Sequence, residues 1–137
     1  MTKKSDTDNT KDAHINFHEE AKQHWGDTKE YIQSIKRTSK YTNEDWDEII
    51  ADKDKIFKAF AQTMDKDDAE NEIELLVIQW KEHITKYYYE CSDDMLADLA
   101  DMYLSDIRLK ENIDEYKEGL AEFIGDAMKD YYIKVHP

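Results

Sequence analysis

Proline and glycine are nearly absent from this chain of 137 residues. There are three Gly, and the one Pro is residue 137. Because turns and hairpins of β proteins depend on these two residues, their scarcity disfavours a sheet and favours helices joined by short connections. The sequence therefore predicts an all-α fold, and its length is that of a single domain.

Cysteine is also scarce, since Cys91 is the one cysteine in the sequence. A lone cysteine cannot form an internal disulfide, which agrees with a reducing compartment. The chain begins Met-Thr-Lys-Lys and continues with polar residues, without the apolar stretch of a secretory signal. We therefore expect a cytoplasmic protein.

Basic clusters and long apolar runs are missing as well. The formal net charge is -14, and the Lys and Arg residues are scattered along the chain. Such a chain repels phosphate groups, so we expect it to bind neither nucleic acid nor an anionic membrane surface. No apolar stretch approaches the roughly 20 residues that a membrane-spanning helix requires.

Three regions differ in their content of apolar side chains. Residues 1–13 are almost entirely polar, which predicts a disordered tail. Residues 14–41 carry sparse apolar side chains at loosely helical spacing, which predicts weakly held N-terminal helices. Residues 42–134 show regular apolar stripes and predict the helical core of the same domain.

Helix starts are marked by side chains suited to capping. Thr28 precedes the second weak helix, Thr42 has capping-box spacing to Asp45, and Ser92 is followed by two aspartates. We expect helices over about 28–39, 42–64, 73–88 and 92–103, a tight corner at 105–110, and a last helix from about residue 113. Periodicity alone fits both a compact bundle and a globin-like arrangement.

Aromatic residues make up 12% of the chain, and most of them fall on the helix stripes and are expected in the core. The run Tyr87, Tyr88 and Tyr89 differs, because consecutive helical residues point about 100° apart and cannot all enter one core. At least one of these rings should face a cleft or solvent. Aromatic rings with hydroxyl groups suit a ligand that is mainly apolar with a few polar groups.

Cys91 and His83 do not form a recognisable catalytic pair. Eight residues along a helix separate them by roughly 12 Å, too far for a nucleophile and its base. His83 fits a hydrogen-bonded structural histidine. Cys91 is either an inert buried thiol or a thiol activated by the helix start at Ser92, an effect that Glu90 and the following aspartates oppose.

Other chemistry has little support in the sequence. His14 and His18 have the spacing of metal ligands on a helix, but no cysteine lies near them. The carboxylates are too numerous for any pair to stand out, and no glycine-rich phosphate loop is present. We therefore predict no metal, no cofactor, no catalytic residue and no enzymatic activity.

Two stretches of the chain resemble a known family. The first comprises residues 25–31 (WGDTKEY) and 41–46 (YTNEDW); the second comprises residues 80–84 (WKEHI), 89–92 (YECS) and 102–108 (MYLSDIR). Together they resemble the TipA-type antibiotic-recognition domain, the effector-binding half of certain MerR-type transcription activators. The resemblance spans about residues 25–125.

This resemblance implies a globin-like all-α fold that captures thiopeptide antibiotics or other multi-ring drugs in a hydrophobic cleft. It also implies mobile N-terminal helices that act as a lid over the ligand. In the family a cysteine can add to a dehydroalanine of the antibiotic, and Cys91 matches that position. The family pattern continues Pro-Glu-Met-His after Ser92, whereas this chain has Asp93, Asp94, Met95 and Leu96, which places more negative charge near the thiol.

We therefore expect a binder of bulky, largely apolar antibiotics, acting as the effector domain of a regulator or as a stand-alone protein that sequesters drug. Residues 1–24 are too short for the DNA-reading and coiled-coil parts of an activator, so a monomer is expected. A helical protein-protein interaction module is the alternative. The candidate ligand-binding residues, which include Cys91 as a point of covalent attachment, are Trp25, Tyr31, Trp46, Trp80, His83, Tyr87, Tyr88, Tyr89, Cys91, Met95, Met102 and Tyr103.

Overall fold

A computed structural model describes residues 28–136, and these residues form six α-helices and no strand. The all-α prediction is confirmed for this part of the chain. None of its helices is long and apolar enough to cross a membrane. The predicted tail, and the first weak N-terminal helix with His14 and His18, lie outside the described residues. The helices are α1 (Lys29–Thr38), α2 (Asn43–Thr63), α3 (Glu70–Tyr87), α4 (Asp93–Ser105), α5 (Ile107–Asp114) and α6 (Leu120–Val135).

The predicted helix starts are confirmed by side-chain hydrogen bonds. The Thr28 hydroxyl accepts a bond from the amide of Tyr31 at 3.2 Å, and the Ser92 hydroxyl accepts one from the amide of Met95 at 3.1 Å. At α2 the Thr42 hydroxyl accepts from the Asp45 amide, and the Asp45 carboxylate accepts from the Thr42 amide, which completes a capping box. These bonds satisfy amides that a helix start leaves free.

The predicted corner at 105–110 is confirmed only at Asp106, since residues 107–110 are helical, and the prediction of a single last helix is wrong. Asp106 ends α4 and also caps α5, where its carboxylate accepts from the Leu109 amide at 3.0 Å. The predicted last helix is divided between α5 and α6, with Gly119 at a φ of 84° immediately before α6. That backbone angle suits a residue without a Cβ. The break before α6 escaped the sequence pattern because buried apolar residues, Ile113 and Leu120, lie on each side of it.

The centre of the fold is the contact between α4 and α6. Gly125 allows the two helices to approach closely, because a Cβ there would lie 2.9 Å from Leu104 Cγ and 3.3 Å from the backbone oxygen of Ala100. Leu96 and Ile124 have no exposed surface. The close approach of α4 and α6 thus creates a dry core on which the other helices pack.

Helix α1 is attached differently, through hydrogen bonds to the end of α3 and the segment that follows it. Arg37 Nη1 donates to the carbonyl of Thr85 at 2.5 Å, and the Gln33 side chain accepts from the Glu90 amide at 2.9 Å. Ser34 is the one buried residue of α1, whereas Ile32 and Ile35 are 58% and 39% exposed. This helix therefore contributes little apolar surface to the core.

Candidate functional site

An apolar cleft rich in aromatic rings, which we call the aromatic cleft, lies between α2, α3, α4 and α5. One face of α2 forms its first wall, because Trp46, Ile49, Ile50, Lys53 and Phe57 recur at helical spacing and all line the cleft. The capping box at Thr42 fixes where this helix begins and therefore which of its residues face the cleft. The wall is apolar except for the Lys53 ammonium.

The remaining walls come from α3, α4 and α5 and from the residues that follow α3 and α5, and several tyrosine rings face the enclosed space. Counting the solvent in its open mouth, the empty space within the cleft is about 880 Å³. The other lining residues are Trp80, Ile84, Tyr88, Tyr89, Leu99, Tyr103, Leu109, Asn112, Ile113 and Tyr116.

Trp80 forms a rigid part of the cleft wall. Its indole Nε1 donates to the Tyr103 hydroxyl at 3.1 Å, and its ring lies 4.8 Å from the ring of Phe57. Tyr103 is fully buried, and burial raises the pKa of its hydroxyl, so the hydroxyl stays neutral at physiological pH. A neutral hydrogen-bonded pair holds the two large rings in place without introducing charge.

His83 lies behind Trp80 and does not line the cleft. The two rings stack with centroids 4.9 Å apart, and His83 Nδ1 lies 2.7 Å from Asp52 Oδ2. Burial lowers the pKa of His83, and the bond to Asp52 raises it only in part, so the imidazole is neutral at pH 7. His83 was also a candidate ligand-binding residue, but in this structure it lies outside the cleft lining and supports a residue of the wall.

The tyrosine run separates at the end of α3. This helix ends at Tyr87, and the amides of Tyr88 and Tyr89 both donate to the carbonyl of Ile84. Tyr88 and Tyr89 line the cleft, whereas Tyr87 packs its ring against His83 and accepts a bond from Tyr41 through its carbonyl. The expectation that at least one ring faces a cleft or solvent assumed a continuous helix; because the chain leaves the helix after Tyr87, two of the rings line the cleft.

Aromatic rings also surround the partly exposed indole of Trp46. The Tyr41 ring meets it edge-on at 5.4 Å, and the Tyr88 ring lies 6.4 Å away. Tyr41 follows α1 in the sequence, and its hydroxyl donates to the Tyr87 carbonyl at 2.5 Å. The rings of Tyr41, Trp46 and Tyr88 therefore connect the segment after α1 to the wall of the cleft.

Cys91 lies outside the cleft lining and is buried. Burial raises the pKa of the thiol to about 12, a rise that the nearby Lys81 opposes and that Asp93 and Glu30 reinforce. Lys81 also forms an ion pair with Asp93 at 2.6 Å, so the carboxylate offsets the effect of the Lys81 charge on the thiol. The thiol is therefore protonated at neutral pH in this arrangement.

The remaining predicted residues lie elsewhere. Met95 and Met102 are buried in the core, Tyr31 lies on α1, and Trp25 falls outside the described residues. Five of the predicted residues do line the cleft, namely Trp46, Trp80, Tyr88, Tyr89 and Tyr103.

Several lining residues escaped sequence reasoning. Ile49, Ile50 and Phe57 belong to the apolar stripe of α2, but periodicity does not distinguish a residue facing a cleft from one facing a core. Lys53 and Asn112 gave no signal, because a polar residue within a helix ordinarily indicates its solvent face.

A second groove, which we call the acidic groove, lies between α3 and α6. Ile73, Phe123 and Tyr131 lie among four carboxylates, those of Glu70, Glu74, Asp126 and Asp130. Elsewhere within residues 28–136, no group of three or more His, Cys, Asp or Glu residues could hold a metal ion either. The aromatic cleft is therefore the better candidate for an apolar ligand.

This chain is similar to several known proteins. The model of a family described as the TipAS antibiotic-recognition domain matches residues 17–131. The transcriptional activator Mta of Bacillus subtilis is 36% identical over 99 residues, which are 72% of this chain and 38% of that protein. The activators TipA of Streptomyces coelicolor and Streptomyces lividans are each 35% identical over 114 residues, or 82% of this chain and 45% of theirs. The chain thus spans less than half the length of these curated relatives.

A solved structure is also similar to this chain. It shows TipAS of Streptomyces lividans in complex with nosiheptide and is described as part of a thiopeptide antibiotic multidrug resistance system. The TM-score is 0.78 at 33% sequence identity, and the match covers 90% of this chain and 87% of the other.

Proposed function

This chain belongs to the TipAS family of antibiotic-recognition domains, and from that membership and its cleft we propose that it binds thiopeptides or similarly bulky, largely apolar antibiotics. The observation that carries the proposal is the aromatic cleft itself. Trp46, Trp80 and Tyr103 line it, and the hydrogen bond between Trp80 and Tyr103 holds these two rings in position before any ligand arrives. A preformed wall reduces the entropy lost on binding.

The solved TipAS complex supports this choice of ligand, since that protein was captured with a thiopeptide. We propose that the chain acts by binding and not by catalysis. The matched family is a recognition domain, and the relatives are named as activators. The neutral His83 and protonated Cys91, neither of which lines the cleft, support the absence of a reaction step.

Covalent attachment at Cys91 stays a prediction. It requires the segments around the thiol to open, since Cys91 is only 3% exposed and its pKa is raised to about 12. Mass spectrometry of the protein incubated with nosiheptide measures it directly. An added antibiotic mass that disappears in Cys91→Ala would establish attachment, whereas binding without added mass would assign capture to the cleft alone.

We further propose that this part of the protein works in the cytoplasm as a monomer that does not touch nucleic acid. The net charge of -14 opposes contact with phosphate groups, and the relatives' names place them in transcriptional control. Binding would serve either to signal to a transcription activator or to lower the concentration of free drug.

Calorimetric titration with nosiheptide tests the proposed function. Trp46→Ala removes a partly exposed ring from the cleft wall. We expect the Kd of this variant for nosiheptide to rise about tenfold, the usual effect of losing a large aromatic contact. Tyr132→Ala is the matched control, because this partly exposed aromatic residue of α6 lines neither the cleft nor the acidic groove. Equal weakening in both variants, or no binding by the unmodified protein, would overturn the proposal.

A further inference from the structure

Lys53 is the one charged side chain in the lining of the aromatic cleft as the structure describes it. Every other lining residue is apolar or aromatic apart from Asn112. A cation is unfavourable in such a place, because an apolar wall cannot replace the water that a charged group loses. Binding of purely apolar drugs does not explain why a lysine lies in this wall.

The two acidic neighbours of Lys53 are already engaged elsewhere. Asp52 Oδ2 lies 2.7 Å from Nδ1 of His83 on α3, and Asp54 accepts a bond from the hydroxyl of Tyr116, which follows α5. Consecutive helical residues differ in direction by about 100°, so these carboxylates are directed to the two sides of the lysine. Lys53 lines the cleft between them.

The ammonium group of Lys53 makes no hydrogen bond and no ion pair with another side chain of residues 28–136, although Asp54 is close enough to affect its charge. Burial lowers the pKa of Lys53, and the Asp54 charge offsets that effect only in part. The protonated form is therefore short of partners. A ligand that brought a negatively charged oxygen into the cleft would supply one.

We propose that Lys53 determines ligand specificity by selecting multi-ring, mainly apolar molecules that carry one oxyanion, such as a carboxylate, sulfonate or ionised phenol. This inference rests on the proposed function, since it concerns the ligand of the same cleft. The apolar body of the ligand packs against Trp46, Phe57 and Trp80, and its oxyanion accepts a hydrogen bond from Lys53. A matched neutral ligand gains the packing but leaves the ammonium without a partner.

Two fluorescent probes with the same ring system isolate this contact. N-phenyl-1-naphthylamine is neutral, and 8-anilinonaphthalene-1-sulfonate adds a sulfonate to the same skeleton. Each is titrated into the purified chain, and mutual displacement establishes that both occupy one site. We expect the sulfonate probe to bind the unmodified protein more tightly than the neutral probe, despite the net charge of -14.

Lys53→Met removes the charge while keeping a long, apolar side chain. We expect it to weaken sulfonate binding about tenfold, as for loss of a hydrogen bond to a charged group, and to leave the neutral probe unchanged or bound more tightly. Lys55→Met is the matched control, because it makes the same charge change at an exposed position of α2 that does not line the cleft. This control should change neither affinity.

The inference is overturned if Lys53→Met affects both probes equally, if Lys55→Met reproduces its effect, or if neither probe binds the unmodified protein. Displacement of the bound probes by nosiheptide distinguishes this inference from the proposed function. If the sulfonate preference depends on Lys53 but nosiheptide displaces nothing, the oxyanion site stands and the thiopeptide assignment fails. If nosiheptide displaces both probes but Lys53→Met has no selective effect, the thiopeptide assignment stands and the oxyanion site fails.

Discussion

Helices α1 and α4 meet the rest of the domain in opposite ways. Helix α4 packs its buried face against α6 with Leu96 and Ala100 fully enclosed, whereas α1 is attached by side-chain hydrogen bonds and leaves Ile32 and Ile35 exposed. Apolar burial contributes to the free energy of the whole fold, while a few polar bonds at a surface are worth little after exchange with water. We therefore expect α4 with α6 to behave as a scaffold and α1 as a segment that opens locally.

The largest expected difference between the two regions is in core substitutions. Leu96→Ala should lower the free energy of unfolding by about 3 kcal/mol, because it removes a fully buried side chain and leaves a cavity. Ile35→Ala on α1 should change it by less than about 0.5 kcal/mol, since that side chain is 39% exposed. Urea denaturation followed by circular dichroism measures both, and similar losses would contradict the comparison.

A more local effect is expected at the attachment of α1. Arg37→Ala removes the bond to the Thr85 carbonyl, which should increase amide hydrogen exchange in residues 34–38 about tenfold. Exchange in α4 and α6 should not change. Lys36→Ala, at an exposed neighbouring position, is the control. If Arg37→Ala accelerated exchange throughout the domain, α1 would be part of the cooperative core and not a separately opening segment.

The two helix caps extend the same comparison with a smaller effect. Ser92→Ala should lower the free energy of unfolding by about 1 kcal/mol, because α4 loses its capping bond and folds with the core. Thr28→Ala removes the equivalent bond of α1, and we expect a global change of only a few tenths of a kcal/mol. Thermal and urea unfolding of both variants provide the measurement. An equal loss from the two caps would show that α1 unfolds together with α4.

The smallest effect concerns pH and the support behind the cleft. Burial, with Lys53 and Lys86, lowers the pKa of His83 below its ordinary 6.5, and Asp52 offsets this only in part. As pH falls below 6.5, the unfolded chain takes up this proton before the folded chain does, so stability decreases until the lowered pKa is passed. The Tm should therefore fall between pH 7.5 and 5.5, and less steeply in His83→Gln. Identical pH dependence in both proteins would mean that His83 does not contribute.

The sequence was sufficient where a single side chain decides the local structure. Thr28, Thr42 and Ser92 each supply an oxygen to an amide two or three residues into a helix, and these starts were predicted. The corner that contains Asp106 was predicted too long, because this one residue both ends α4 and caps α5, so that the chain is helical again from Ile107. The break at Gly119 depends on a positive φ, which one glycine within a helical pattern does not reveal.

The cleft was only partly predictable. Trp46, Trp80 and Tyr103 were identified as large aromatic residues within matching motifs, but Met95 and Met102, on the same grounds, belong to the core. Whether a residue lines the cleft or lies in the core depends on how four helices converge. The periodicity of any one helix does not contain that information. Lys53 illustrates the limit best, because its place in the cleft lining depends on how the helices converge and on no pattern in the sequence.

The most direct test of the central claim is methyl NMR of protein labelled at the isoleucine δ1 positions, titrated with nosiheptide. Four isoleucines line the aromatic cleft, whereas Ile73 lies in the acidic groove, Ile124 is in the core, and Ile107 and Ile133 are on the surface. We predict that intermolecular NOEs and the largest shift changes occur at Ile49, Ile50, Ile84 and Ile113. Changes centred on Ile73 or on the surface isoleucines, or none at all, would contradict the assignment of the cleft as the antibiotic site.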